Sequence, residues 1–383
     1  MRRSGKSTLC QKVLLQSGVT FAYVNFDDER FKDVHTEELN DFLQELYNIY
    51  GSFTHLLLDE VQNIEAWPLF VNRLLRKKIR IILTGSNANL LSSELITHMT
   101  GRYNLIELFP FSFFEYCNSK QVDITGQSTK AIGLRGYALN EYIVNGGFPE
   151  LLQDASLTPK SYVQSLLRAI IEKDICKRYK IRYKKTIYDL ANYILDSFCQ
   201  EKSYNGIARD LQVKSVHTVK NYLTYLDNAY LTCSIQRYSF KSIERSRTRK
   251  CYAIDIAFVA QREHTLQTEN WGWRMENIVA IELLRRMEYA TQELYYLREN
   301  RSYEVDFAVV DSGHVIQLIQ VTYDFTNPKT RLYNREIGGL IKDAKATRCT
   351  NLTLVMMSGK ASDIEIDGLT VHCVLATDWL LGR

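Results

Sequence analysis

The chain has 383 residues, 45% of them hydrophobic and only five of them proline, which excludes a disordered or low-complexity molecule. A net charge of +4 excludes a polycation, so any nucleic-acid surface must come from local clustering. The eight cysteines form no C-x-x-C pair and the seven histidines show no ligand spacing, which argues against zinc and for reduced thiols; with no apolar run near roughly 18 residues, the sequence predicts a soluble cytoplasmic protein that does not engage a membrane.

At about 100 to 200 residues per domain the length predicts three domains, which we place at 1–120, 121–262 and 263–383. The chain opens MRRSGKSTLC, where Gly5-Lys6-Ser7 stands in register with the last half of the phosphate-loop pattern G-x-x-x-x-G-K-[ST]. Leu9, Val13 and Leu14 recur at helical spacing and Gly18 supplies a stop, so a helix should begin at this loop. Unpaired amides and the positive dipole end of a helix start suit a phosphate. Ser4, Gly5, Lys6, Ser7 and Thr8 are therefore candidates to bind ATP, with Lys6 on the outer phosphates and Ser7 on Mg2+.

In THLLLDEVQNI, three leucines predict a strand buried on both faces and ending in Asp59-Glu60, where open α/β sheets bind ligands. Asp59 would orient Mg2+ through its water shell and Glu60 would polarise the attacking water. After a helix carrying Trp67, Phe70 and Leu74, a second buried strand, IRIILTGSN, ends in Thr84, Ser86 and Asn87. Thr84, Ser86 and Asn87 would sense the γ-phosphate by hydrogen bonding, or else the three simply close a strand-ending turn. In MTGRYNLIELFPFSFFEY, Arg102 precedes a further expected strand. It serves either as a finger on a neighbouring subunit's ATP in a homo-oligomer or as a surface salt-bridge partner.

Together, Lys6-Ser7, YVNFDDER, LLLDEVQN, LTGSN, GRY and the later NGGFPE (Asn145 to Glu150) resemble the prokaryotic AAA-like ATPases that carry a C-terminal domain of restriction-endonuclease ancestry. The resemblance runs over essentially the whole chain. It implies a RecA-like sheet that binds ATP and Mg2+. In that family a first strand and a first loop glycine precede the position of Met1, so the expectation here is a sheet lacking its first strand and a weakened ATP site.

From Ser161 to Phe198 apolar residues recur at helical spacing, interrupted by the basic insert KRYKIRYKK (Lys177 to Lys185) with six positive charges. Ile207, Ala208 and Leu211 mark a short helix, and Val216, Val219, Tyr222, Leu223 and Leu226 a longer one. With the following strands and the basic hairpin KSIERSRTRK they predict a winged helix-turn-helix. If it binds DNA, Lys214, His217, Thr218, Lys220 and Asn221 face the major groove, while Arg245, Arg247, Arg249 and Lys250 touch phosphates. The other reading is a packing module with solvated charges.

The last third predicts an amphipathic helix containing Glu276, three strands, and a helix–strand pair. This order resembles the PD-(D/E)xK nuclease fold, whose chemistry uses an aspartate at a strand end and an E-x-K on the next strand to hold magnesium and activate water. Asp306 matches the aspartate and Glu276 the helix acid, but Gln320-Val321-Thr322 stands where E-x-K should. The sequence thus predicts an α/β chain: a RecA/AAA-like parallel sheet, a helical and winged-helix region, and a degenerate restriction-endonuclease-like domain. The leading function is an ATPase whose hydrolysis moves the middle region relative to the C-terminal domain. The rivals are a DNA-binding or interaction protein with a vestigial nucleotide site, and a metal-dependent nuclease.

Overall fold

A computed structural model of the chain describes residues 1–31, 38–64, 67–86, 103–239, 247–262, 271–299, 303–325 and 331–383; Asn87, Arg102 and Arg245 lie outside the described residues. The chain divides into two compact units, Met1–Pro110 with Asn228–Tyr230, and Phe111–Asp227 with Leu231–Arg383. No helix among the described residues is long and apolar enough to cross a membrane.

In the first unit, α1 (Lys6–Gln16) starts at Gly5, whose φ of 83° is left-handed and suits glycine. The strands β1 (Phe21–Asn25), β2 (His55–Asp59) and β3 (Arg80–Leu83) alternate with the helices α2 (Leu39–Tyr50) and α3 (Trp67–Arg76). They form a parallel sheet in the order β1-β2-β3, with Ala22 opposite Leu56 and Leu57 opposite Ile82. Leu56, Leu57 and Leu58 are all fully buried, as the unbroken apolar run predicts for a central parallel strand. α2 closes on the sheet with Leu39, Leu43 and Leu46, and α3 with Trp67, Phe70, Val71 and Leu74. Each fully buried side chain of this size contributes about 1.5 to 3 kcal/mol. Residues 103–109, expected as a strand, join no ladder among the described residues.

The second unit begins with α4 (Phe113–Ser119), whose Ser112 and Glu115 form a reciprocal capping box, followed by α5 (Thr129–Asn145), α6 (Pro149–Gln153) and α7 (Pro159–Ala169). The NGGFPE stretch has a packing reason. Gly146 ends α5 at φ 75°, and a Cβ on Gly147 would lie 2.2 Å from the main-chain oxygen of Phe111. α7 runs into a π-helix, Ile170–Lys177, before α8 (Lys184–Asp196) and the short β4 (Glu201–Ser203). The two expected helices follow as α9 (Tyr204–Asp210) and α10 (Val216–Asn228), then the antiparallel pair β5 (Thr232–Arg237) and β6 (Thr248–Ala253).

After α11 (Ala257–Ala260) and α12 (Trp271–Arg286) come β7 (Gln292–Glu299), β8 (Tyr303–Asp311), β9 (His314–Phe325), α13 (Arg331–Thr347), β10 (Leu352–Gly359), β11 (Ser362–Ile366), β12 (Leu369–Leu375) and α14 (Ala376–Leu380). Among the described residues, all nine strands of this unit join one mixed sheet, β11-β12-β10-β9-β8-β7-β5-β6-β4. The join is β5 beside β7, parallel, through Gln236 opposite Tyr295 and Arg237 opposite Tyr296. Strands from both sides of position 262 thus share one sheet. The carboxamide of Asn277 on α12 strengthens the join by bonding both the N–H and the C=O of Ala253, each at 2.8 Å.

Candidate nucleotide site and a buried charge cluster

The amino end of α1 and the carboxyl ends of β2 and β3 bring most of the expected nucleotide residues together. Ser4 is buried and its hydroxyl donates to the Met1 carbonyl at 3.1 Å; the Lys6 ammonium donates to the same carbonyl. Ser7 is half-buried and Thr8 exposed. Asp59 is only 2% exposed, and its carboxylate accepts from the Thr84 hydroxyl and from the Tyr23 hydroxyl at 3.3 Å. The Thr84 oxygen in turn accepts from the Glu60 N–H at 3.2 Å, so one threonine ties the ends of β2 and β3 together. Glu60 has a left-handed φ of 51°, an uncommon backbone state for a non-glycine residue and one that clusters at functional sites.

The charges of Lys6 and Asp59 are both felt at Cys10 in the first turns of α1. Burial and the Asp59 carboxylate push the Cys10 thiol up, while Lys6 acts the other way. The Tyr23 phenol is pushed up by burial and by Asp59, and Gln11 of α1 also reaches it. A cavity of about 520 Å³ opens beside this arrangement, with Lys6, Cys10, Thr84, Gly85 and Tyr103 in its wall. That size falls within the range of small-molecule sites, roughly 300 to 1,000 Å³. Asp59 and Glu60 do not line the cavity, and Thr84 is their link to it. Cys10 lies in none of the quoted motifs, and Tyr23 opens YVNFDDER without a role that its type announces; their neighbours in space mark them.

In the second unit the structure brings Glu276 of α12 and Asp306 of β8 together around a residue that the sequence pattern assigns to a DNA-contacting wing. Lys250 of β6 is 2% exposed, and its ammonium lies 3.0 Å from Glu276, 3.5 Å from Asp306 and in an ion pair with Glu304. Its expected role on phosphates is therefore corrected: a side chain this buried, ringed by acids, cannot reach a nucleic-acid backbone. The Tyr252 hydroxyl also donates to Glu276, at 2.9 Å. Gln320 on β9 accepts from the Asp306 N–H at 3.1 Å and donates its amide to Glu336, while Asp306 accepts from the Val321 N–H at 3.0 Å.

Burial and then the Glu276 charge hold the Asp306 carboxyl well above the usual carboxylate range, and burial likewise raises Glu276. Burial works against the Lys250 ammonium, but Glu276, Asp306 and Glu304 outweigh it and keep the amine protonated well past its ordinary range. Among the described residues no group of three His, Cys, Asp or Glu side chains is arranged to hold a metal. The acids that a divalent ion would need are turned onto an ammonium instead, so the residues present do not fit a nuclease-type magnesium ion.

The expected DNA-facing residues sit on and beside α10. Lys214, His217 and Lys220 are exposed, and Thr218 and Asn221 are half-buried. The Lys220 ammonium lies 5.1 Å, and the Arg249 guanidinium 5.7 Å, from the Tyr204 ring centre, and Arg247 is exposed at the start of β6.

Residues 1–117 match the family model described as an AAA domain. Residues 136–268 and 271–369 match two models described as domains of unknown function, DUF8612 and DUF4143. The uncharacterized protein MJ1544 of Methanocaldococcus jannaschii is 32% identical over 366 residues, spanning 94% of this chain and 80% of that protein. The chain belongs to the MJ1544 family. An uncharacterized protein of Haemophilus influenzae is 28% identical over 400 residues, covering 100% of this chain and 92% of its own length. Among solved structures, the replication initiator DnaA bound to AMPPCP and single-stranded DNA aligns with 58% of this chain and 79% of its own at 19% identity. The TM-score is 0.28, too slight a likeness to bear on the MJ1544 family.

Proposed function

We propose that the chain is an AAA-type ATPase that takes ATP with Mg2+ at the start of α1. The observation that carries this is the convergence of Lys6 and Thr84 on one cavity, with Thr84 hydrogen-bonded to the buried Asp59; the match of residues 1–117 to an AAA domain supports it. The Gly5 turn leaves the first amides of α1 without a side-chain cap, which suits an anion at the positive end of the helix dipole. Lys6 would exchange the Met1 carbonyl for the outer phosphates, a stronger charge-assisted contact.

The Ser7 hydroxyl and the Asp59 carboxylate would hold Mg2+. They are hard oxygen donors, and Asp59, with two hydroxyl partners, keeps acceptor capacity for the ion's water shell. Bound there, the ion would neutralise phosphate charge. Glu60 would accept the proton of the attacking water, and Arg102 and Asn87 remain candidates for the γ-phosphate end. The test is phosphate release alongside nucleotide binding. Glu60→Gln should keep ATP binding and lose about 100- to 10,000-fold in hydrolysis; unchanged hydrolysis overturns the assignment.

A second reading has its own observation. The exposed Lys214, His217 and Lys220 on and beside α10, with Arg249 of β6 on the same Tyr204 ring as Lys220 and the exposed Arg247 just before β6, suit contacts to nucleic-acid phosphates and base edges. Retention of duplex DNA at low salt, abolished by Lys220→Gln with Arg249→Gln, tests it.

A further inference from the structure

The basic insert between the π-helix and α8 has no part in either reading. Its nine residues carry six positive charges, and mutual repulsion of this kind ordinarily leaves a segment loose in solvent. Here it is tied down at several points. Tyr179 stacks on Tyr225 of α10 with ring centres 3.6 Å apart and planes 10° off parallel. The Ile181 N–H donates to the Cys176 carbonyl at 3.0 Å, and Lys180 holds a left-handed φ of 51°. Lys184 is ion-paired to Glu172, which also accepts from Tyr188 at 3.1 Å. Lys177, Lys180, Arg182 and Lys185 are exposed, and none has a carboxylate partner among the described residues.

The position of this arm on α10 gives it meaning. Val219, Leu223 and Leu226 turn into the core. At 3.6 residues per turn, Lys220 and Tyr225 stand about 140° apart on the remaining surface, with His217, Asn221 and Thr224 between them. On the Lys220 side lie Tyr204 and Arg249; on the Tyr225 side lies the insert, docked through Tyr179. α10 is thus flanked by positive charge on both sides. Its single carboxylate, Asp227, is turned onto the Thr232 hydroxyl at 2.6 Å and leaves the outer face free of acids.

We propose that Lys177–Lys185 is a second phosphate-contacting arm, and that it and the Lys220–Arg249 edge grip the two backbones of a nucleic-acid duplex whose groove takes α10. The charge is complementary to a polyanion, and the layout matches a helix, about 10 to 12 Å across, lying in a major groove roughly 12 Å wide with a phosphate strand along each wall. The inference rests on the nucleic-acid reading of α10 and adds the opposite half of the grip.

The experiment is fluorescence anisotropy of the full chain with a short mixed-sequence DNA duplex, and with a single strand of equal length, across about 50 to 200 mM KCl. The combined variant Lys177→Gln, Lys180→Gln, Arg182→Gln, Lys185→Gln should weaken duplex binding at least about tenfold. It should also flatten the slope of log affinity against log salt by about 0.9 for each phosphate no longer neutralised. Tyr179→Ala, which keeps every charge but frees the arm, should weaken binding in the same direction to a smaller extent. If the four-residue variant keeps the wild-type slope while the Lys220→Gln, Arg249→Gln variant flattens it, the arm is a solvated charge run; the inference then falls and the reading of α10 stands. Equal affinity of the wild type for duplex and single strand overturns the two-walled geometry. Absence of duplex binding by the wild type overturns both.

Discussion

Both units contain buried aspartates near a lysine, and they solve the same electrostatic problem in opposite ways. At Asp59 the carboxylate is held by two hydroxyls, while Lys6 rests on a main-chain carbonyl beside a cavity of about 520 Å³. At Asp306 the carboxylate shares the Lys250 ammonium with Glu276 and Glu304 in a closed interior. The first arrangement sets its cation in the wall of an open cavity, which is the condition of a site that takes a charged ligand. The second gathers its acids on one internal ammonium, which is the condition of a structural joint. Asp59, at the end of β2, and Asp306, inside β8, are thereby separated by where the nearest cation points.

The largest effect should come from breaking the closed joint. Lys250→Met leaves Glu276, Glu304 and Asp306 around a buried methyl group, and removing one partner from a buried ion pair costs about 3 to 5 kcal/mol. The sign with pH follows from the remaining acids. A carboxyl whose folded pKa is raised favours the folded state below its ordinary range and loses that contribution as pH rises through the raised value. Asp306 is already raised with Lys250 present, so without it the urea midpoint of the variant should fall progressively as pH rises above the ordinary carboxylate range. The Lys250 contribution in the wild type persists through that rise, because its amine deprotonates only well past its own ordinary range. Adding Glu276→Gln and Asp306→Asn should restore part of the stability and flatten the pH dependence. A wild-type midpoint in Lys250→Met would show that the cluster is not a structural joint.

This joint is also where the sequence is least legible. The nuclease pattern places a lysine two residues past Gln320, where this chain has Thr322, whereas the ammonium arrives from β6, some seventy residues earlier, by way of sheet pairing. No local period announces that β5 will lie beside β7, with Gln236 opposite Tyr295 and Arg237 opposite Tyr296. By contrast, β2 is readable because three consecutive leucines have only one economical place, the middle of a parallel sheet, and α10 because its apolar residues keep helical phase. The nucleotide residues are legible as types at spacings. The bond from Thr84 to Asp59, and the engagement of Lys6 with Met1, are not, since they depend on where separate chain segments end.

The open site gives the next effect in size. Lys6→Ala removes a charged donor from a cavity wall rather than from a core, so its cost should appear in ligand affinity and not in folding. A charge-assisted contact contributes about 1.5 to 3 kcal/mol, or roughly 10- to 150-fold in ATP affinity. The unfolding free energy should stay within about 0.5 kcal/mol of the wild type, as for most substitutions outside a core. Titration with a fluorescent ATP analogue measures the first and urea unfolding the second. If Lys6→Ala instead destabilises as Lys250→Met does, the contrast between an open and a closed cation collapses.

The smallest effect isolates the loop backbone from its side chains. Gly5 has a φ of 83°, and a Cβ placed on it would meet nothing within 4 Å. Gly5→Ala therefore introduces no clash, only the left-handed penalty of about 1 to 2 kcal/mol for a residue with a side chain. The chain can relieve that penalty by letting the first turn of α1 unwind, because no side chain caps it. ATP affinity should accordingly fall about 5- to 30-fold while the rest of the unit, whose core lies on α2, α3 and the sheet, unfolds at its usual urea concentration. Affinity that is unchanged would mean the first-turn amides of α1 do not touch the phosphates, and would leave Lys6 as a point charge without the helix start behind it.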